Sequence, residues 1–426
     1  MLRVRDGLAI TVGMVIGAGI LRTPGLIAGY LGDAWLILAV WILGGIVAAL
    51  STILLAEMAA ALPEAGGKYV YAREAWGPVM GFVAGWSELL VARGFSGASK
   101  AVVIAEYIRI LAGKGSVPIL AGAVALAFFF LHTRGIKASV LFQNVTTSLK
   151  VLVVCIIAAA GIWAGDMEGF GSEGSLAGGG LLGFALAYQA VAFAYYGWED
   201  AAKMAEEIQD PGRSLPRILL GGAVVVAALY LLMNLAFLAA LTPAEMSGSQ
   251  LVAQDAIAGV FGSAAGTLVV VASLLILISS LNVNFLGMPR VAFGLANHGL
   301  AFKALGRVDE RGTPRNALYL VSAWIGILAV TGQFELLIRF MMLVAITVDT
   351  IVLMGYFRLR RIHPELHRPF HVPGHPWIPA LTIVLYVAIL GIIVGTQPTL
   401  ALGGGLMVTG LGVAGWIVTR RDRVLT

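Results

Sequence analysis

Apolar residues dominate this chain in runs of about 20 or more, the length a helix needs to cross a bilayer. Polar residues are mostly confined to the joins between runs. Twelve runs can be counted, at roughly 8–31, 34–62, 77–110, 117–133, 138–164, 180–205, 217–241, 264–296, 316–331, 334–357, 376–396 and 400–419. The pattern predicts an all-α integral membrane protein with twelve spanning helices in a single domain, 1–426. Its one extended flexible join is the Gly/Ser-rich stretch Gly169 to Gly180, between the fifth and sixth runs.

Two runs carry a misplaced break. The first contains Gly13, Gly17, Ala18 and Gly19, although each glycine weakens a helix by roughly 1 kcal/mol relative to alanine. Inside a bilayer, freed backbone groups are tolerated only where they line a cavity or bind something. The sixth run holds Phe193-Ala194-Tyr195-Tyr196-Gly197-Trp198 followed by Glu199 and Asp200. A five-span unit is odd in number, so a second copy enters the membrane upside down. Spans 1–5 (about 1–165) and 6–10 (about 175–360) would then form a 5+5 inverted repeat, with two helices (about 376–420) appended. Interruptions at matching places in two halves mark the substrate site of an inverted-repeat transporter. The competing reading is a glycine packing notch in the first span and an interfacial aromatic belt in the sixth.

Composition agrees with burial in lipid: 59% of residues are hydrophobic and 12% charged, with mean hydropathy +0.92. Basic residues set the orientation. With the N-terminus inside, the inner segments collect 21 of the 28 Lys and Arg, among them Arg3, Arg5, Lys68, Arg73, Arg134, Lys137, Lys203, Arg290, Arg311, Arg358, Arg360, Arg368, Arg420, Arg421 and Arg423. Asp166, Glu168, Glu173, Glu245 and Asp255 fall outside, and both termini are expected in the cytoplasm of a cell (inner) membrane protein. The pI of about 9.3 is thus a topology signal, and no basic stripe interleaved with exposed aromatics suggests nucleic acid. The single cysteine, Cys155, lies within the fifth span. It allows no intramolecular disulfide and predicts no disulfide-linked partner subunit.

Four motifs resemble those of the amino acid–polyamine–organocation permeases, particularly the L-type amino acid transporter branch. Gly17-Ala18-Gly19-Ile20 matches G-[SA]-G-I, with Pro24 shortly after, and Phe193 to Trp198 matches F-A-Y-x-G-W. Ala205-Glu206-Glu207, Pro211, Arg213, Pro216 and Arg217 match A-E-E-x-x-x-P-x-R-x-x-P-R, and Arg368 to Gly374 resembles R-P-F-K-V-P-G. The resemblance covers essentially the whole chain. It implies a leucine-transporter-like fold and an amino acid carrier working by alternating access.

A free amino acid brings a carboxylate and an ammonium. Amides at a half-helix N-terminus attract anions, so Gly17, Ala18 and Gly19 are the candidate carboxylate site. The carbonyls of Val15, Ile16, Phe193 and Ala194 would accept the ammonium. The resemblance implies the same assignment, and makes Phe193 the aromatic gate over the substrate. Tyr195, Tyr196 and Trp198 would line the pocket. Two large rings there suggest small neutral L-amino acids, since some L-type relatives carry glycine where Tyr196 stands.

Lys150 lies mid-span, where a lysine costs about 2.5–3.5 kcal/mol on insertion scales. Gln143, Thr147 and Lys150, beside Asn144 and Ser148, predict one polar face turned inward. The resemblance implies that Lys150 stands where sodium-coupled relatives hold a sodium ion, bracing the first and eighth helices. Its role is either a fixed tether or a proton carrier. Asp349 is also deep, with Arg22 and Arg93 as candidate partners; an outer-gate pair Arg22–Asp349 or a static packing pair are equal readings. Glu199 and Asp200 suit the dipole at the start of a half-helix, or Glu199 meets a cationic substrate group. Glu57 is expected at the cytoplasmic gate, Glu88 has no assigned role, and Lys100 is expected to snorkel at the outer surface. Asn282 and Asn284 could reach the site near Lys150 or simply join helices.

His363, His367, His371 and His375 recur at spacing four, but Pro364, Pro369, Pro373 and Pro376 prevent a common helical face. With no metal-spaced cluster or nucleophile motif, no cofactor, metal or enzymatic activity is expected. The expected partners are an amino acid substrate, the lipid bilayer and protons. The function that follows is secondary transport of small neutral L-amino acids, by proton symport or exchange. An amine, polyamine or cationic amino acid carrier, with Glu199 or Glu88 neutralising the extra charge, and a non-transporting sensor are the alternatives.

Overall fold

The fold comes from a computed structural model described over residues 2–64, 66–133, 136–171, 180–309 and 314–424. Side chains of 136–142, 144, 168 and 420–424 lie outside that description, as do Arg134, Glu173, Arg311 and most of the Gly169–Gly180 join. Among the described residues, fifteen α-helices of nine residues or more build the bundle: α1 (Val4–Val15), α2 (Ala18–Leu31), α3 (Ala34–Ala61), α4 (Lys68–Trp76), α5 (Pro78–Ala112), α6 (Val117–His132), α7 (Ile136–Ala164), α8 (Gly180–Tyr195), α9 (Pro211–Ala240), α10 (Val252–Phe261), α11 (Ser263–Asn297), α12 (Arg315–Ala329), α13 (Phe334–Ile362), α14 (Trp377–Thr396) and α15 (Pro398–Val424).

Among the described residues, nine helices are long and apolar enough to cross a membrane. The number rises to ten if α5 and α6, bent by 116° at their join, form one span. The twelve-span reading counts α5, α6 and the short α12 separately.

Local sequence explains the ends that matter. Gly32, at φ 66°, closes α2 in the left-handed conformation, and the Asp33 side chain then caps α3 by accepting from Leu36 N at 2.8 Å. The two breaks fall where the glycines and aromatics indicated. Ile16 is extended between α1 and α2, and Gly17 heads α2. Tyr196 and Gly197, the latter at φ 118°, separate α8 from a 3₁₀ segment, Trp198–Glu207.

The start of the chain is tied to the end of that segment. Leu2 N donates to Glu207 O at 2.6 Å, and Gln209 N donates to Leu2 O at 2.9 Å. On the same face, Glu57 at the end of α3 takes both Arg360 nitrogens at 2.9 and 2.7 Å, and the Val372 amide at 2.7 Å. Arg368 adds an ion pair at 3.6 Å. The proline-rich, histidine-bearing loop after α13 is therefore pinned by one carboxylate.

Candidate functional site

The break in the first span is packed closely on three sides. A Cβ at Gly13 would collide with Gln143 and Thr147 of α7, one at Gly17 with Ser280 of α11, and one at Gly19 with Ala194 of α8. These glycines permit close approach of three neighbouring helices, so the packing-notch reading holds alongside the break. The freed carbonyls already have donors. Lys150 Nζ donates to Gly13 O at 2.6 Å and Ile16 O at 3.1 Å, and Ser280 Oγ donates to Met14 O at 2.9 Å. Tyr230 OH donates to Val15 O at 2.6 Å and Ala194 O at 3.1 Å, so one hydroxyl bridges both interrupted spans. Phe193 O accepts from Tyr196 N at 3.1 Å. Each carbonyl oxygen has two lone pairs, so a substrate ammonium can still be accepted. The amides of Ala18 and Gly19 open the first turn of α2, where N–H groups lack helical partners.

The polar face of α7 turns inward at Gln143, Thr147 and Lys150, all buried, while Ser148 is exposed. Gln143 bonds Thr147 at 3.0 Å and receives Asn282 Nδ2 at 3.0 Å. Thr147 donates to Ala9 O at 3.1 Å. The link from α11 to the first span is made by Ser280, whereas the Lys150 bonds go to the first span.

Below the sixth-span break lies a buried cluster of charges that the sequence did not reveal as a unit. Lys68 Nζ is 3.0 Å from Glu199 and 2.7 Å from Asp349. Arg93 pairs with Glu88 at 2.6 Å, Glu199 at 2.9 Å and Asp200 at 2.6 Å. Lys203 pairs with Glu88, and with Asp200 at 2.7 Å. The Tyr196 ring is sandwiched between Lys68 and Arg93, at 4.6 and 5.1 Å, and its hydroxyl donates to Glu88 at 3.0 Å. Glu88 and Arg93 sit five residues apart on a π-helical turn, Ser87–Arg93, whose wider repeat brings them face to face. Glu88, Glu199 and Asp200 come within metal-ligand spacing of one another, but Lys68, Arg93 and Lys203 are already paired with them.

Several sequence expectations are corrected here. Arg22 and Asp349 do not meet: Arg22 pairs with Glu106 at 3.7 Å, and Asp349 with Lys68. Arg93 likewise turns to Glu88, Glu199 and Asp200 rather than to Asp349. The reason is α4, in the inner segment between the second and third spans, which packs against α13 and brings Lys68 onto Asp349. Lys203 is also buried rather than solvated. Lys100 is not a surface snorkeller, since α5 continues twelve residues past it to Ala112, about 18 Å. Its ammonium is buried against Asn284 Oδ1 at 2.9 Å, Met14 Sδ at 3.3 Å and Ser280 O at 3.4 Å. Asn282 reaches the Gln143 end of the polar face, and Asn284 serves Lys100 and Arg93 O instead of Lys150.

Tyr195 packs on Trp41 and Tyr230 and donates to Trp41 O at 3.3 Å. With Tyr196, Trp198 and Asp349 it lines a cavity of about 30 Å³ between α3, α8, α13 and α14, room for about one water. Toward the other face, a cavity of about 450 Å³ is walled by Arg22, Glu106, Phe334 and Arg339. Phe193 meets Phe334 edge-on at 5.9 Å, and Arg22 lies 5.8 Å over the Phe334 ring. An aromatic pair thus stands between that vestibule and the break.

The whole bundle matches one family. The model for amino acid permeases covers residues 4–418. The chain belongs to the amino acid permease family, in the amino acid–polyamine–organocation superfamily. This permease is 28% identical over 414 residues to the serine/threonine exchanger SteT of Bacillus subtilis, covering 96% of the chain and 93% of that protein. It is 27% identical over 396 residues to the b(0,+)-type amino acid transporter 1 of Mus musculus (89% and 80% covered). It is 26% identical over 420 residues to the mouse Asc-type amino acid transporter 1 (95% and 78% covered). The permease is accordingly a multi-pass membrane protein whose relatives transport amino acids and are not enzymes.

Proposed function

We propose that the permease is a secondary carrier of small neutral L-amino acids, working by alternating access around the breaks at Ile16–Gly17 and Tyr196–Gly197. The observation that carries this is the meeting of the two breaks, with Tyr230 OH bound to Val15 O and Ala194 O at once. The substrate carboxylate docks on the amides of Gly17, Ala18 and Gly19, and its ammonium takes the remaining lone pairs of Val15, Ile16, Phe193 and Ala194. Phe193, closed on Phe334, is the gate toward the vestibule, and the charge cluster is the seal toward the N-terminal face. The name of the serine/threonine exchanger relative supports a small substrate. The cationic alternative is disfavoured because Glu88, Glu199 and Asp200 are already paired with Arg93, Lys68 and Lys203.

The contacts also support a 5+5 inverted repeat, and the basic inner segments support a cytoplasmic N-terminus. The first span is braced by the fifth and eighth (Lys150, Ser280), and the sixth by the third, through Arg93. Those are equivalent positions under such a symmetry. Proteoliposomes loaded with unlabelled amino acid and screened with twenty labelled amino acids and labelled putrescine, with and without a pH gradient, test the reading. Uptake of alanine, serine or threonine is expected. Uptake restricted to arginine or putrescine, or no uptake of any substrate, would overturn it.

A further inference from the structure

Two buried lysines flank the break in the first span, and they are solvated very differently. Lys150 holds two carbonyls, at 2.6 and 3.1 Å. Lys100 has one good acceptor, Asn284 Oδ1 at 2.9 Å. Its other contacts are a carbonyl at the limit of hydrogen bonding and a thioether, a weak acceptor. No carboxylate lies within 4 Å of it among the described residues. A buried ammonium with so little compensation costs several kcal/mol.

The missing anion has an address. Lys100 Cε lies 3.9 Å from where a Gly17 Cβ would stand, so the ammonium, one C–N bond of about 1.5 Å beyond Cε, lies within about 5.4 Å of that position, beside the backbone assigned to the substrate carboxylate. We propose that Lys100 is a second carboxylate-binding residue, whose ammonium pairs with the substrate carboxylate at Gly17 and which gains its proton as the substrate enters. The proton comes from water and ends on Nζ; the substrate carboxylate compensates its charge. On release of the carboxylate the proton leaves, so substrate and proton travel together while Lys150 remains a fixed tether. The idea rests on the carrier reading above.

The charged groups facing Lys100 are few. Arg93 lies on its own helix, Asp200 and Lys203 on the 3₁₀ segment, and Lys150 on α7. Met14, Ser280 and Asn284 complete its surroundings. Asp200 is already committed to Arg93 and Lys203, so the substrate is the anion that remains.

The experiment uses the purified full chain in proteoliposomes, with whichever of the twenty labelled amino acids the wild type imports best as probe. Wild-type half-saturation should improve with acid pH, and an inward proton gradient should drive accumulation. Lys100→Met should raise the half-saturation about tenfold or more, the loss expected of a charge-assisted hydrogen bond, with no gradient response. Lys100→Arg keeps a permanent cation, and its half-saturation should no longer vary with pH. Melting temperatures with and without the probe separate misfolding from lost binding. A Lys100→Met protein with wild-type half-saturation and gradient response would overturn the proposal. So would a pH response kept in Lys100→Arg but lost in Lys150→Arg. If the wild type imports none of the twenty, the carrier reading fails first and this inference with it.

Discussion

Lys68 and Asp349 meet at 2.7 Å, joining the first residue of α4 to the middle of α13. The pair ties a short helix outside the long spans to the sixth-span break, because Lys68 also holds Glu199 at 3.0 Å. Removing one partner of a buried pair costs about 3–5 kcal/mol, whereas removing both costs much less. Asp349→Asn and Lys68→Met should therefore each lower the melting temperature and slow transport, and the double variant should be less damaged than the sum of the two. Strict additivity in a thermal double-mutant cycle would show that the two charges do not act as a pair.

Gly19→Ala drives a Cβ into Ala194 Cα. Backbone cannot yield as a flexible side chain does, so the substitution should destabilise by about 1–3 kcal/mol and suppress uptake. Ala194→Gly does not remove the Cα and should rescue only in part. Wild-type uptake by Gly19→Ala would mean that the two breaks are looser than they stand here.

Tyr230→Phe removes the one hydroxyl that bridges Val15 O and Ala194 O. Both carbonyls are buried, so a cost of about 1–3 kcal/mol is expected, read as weaker substrate affinity together with a lower melting temperature. A change in only one of these would separate the structural bridge from the binding site.

Lys150→Ala leaves Gly13 O and Ile16 O without their ammonium. Exchange and net uptake should both fall, because the first-span break loses its brace whatever the coupling ion. Unaltered exchange would remove Lys150 from the mechanism.

Glu57→Gln gives up the paired bonds to Arg360 and weakens the hold on the loop that follows α13. Hydrogen bonds to charged groups contribute about 1.5–3 kcal/mol each, so protease cleavage in residues 363–376 should quicken roughly tenfold or more.

What could be read from the chain alone followed from its strongest local signals. Gly17 and Gly19 stand out against a bilayer helix, as does Gly197 among aromatics, and both breaks fall there. Lys150 was legible because a lysine in the middle of an apolar run has few uses. Lys68, Arg93 and Lys203 were harder, since their meaning depends on partners 100 or more residues away. Lys68 sat in a segment polar enough to pass for a loop, and only the packing of α4 on α13 takes it inward. The five-residue spacing of Glu88 and Arg93 was the available clue, and it is silent without a π-turn. Lys100 reads as a surface residue only while the end of α5 is unknown; the helix runs on to Ala112 and buries it.

The pairing of Leu2 with Glu207 and Gln209 fastens the N-terminal half of the first span to the C-terminal half of the sixth as one hinged leaf. A leaf of that kind swings as a unit: displacing α1 drags Trp198–Glu207 and its charges away from Lys68 and Arg93. Under the alternating access proposed above, opening toward that face would break together the pairs that cross to this segment, Lys68–Glu199, Arg93–Glu199, Arg93–Asp200 and Glu88–Lys203, and keep Asp200–Lys203 within it.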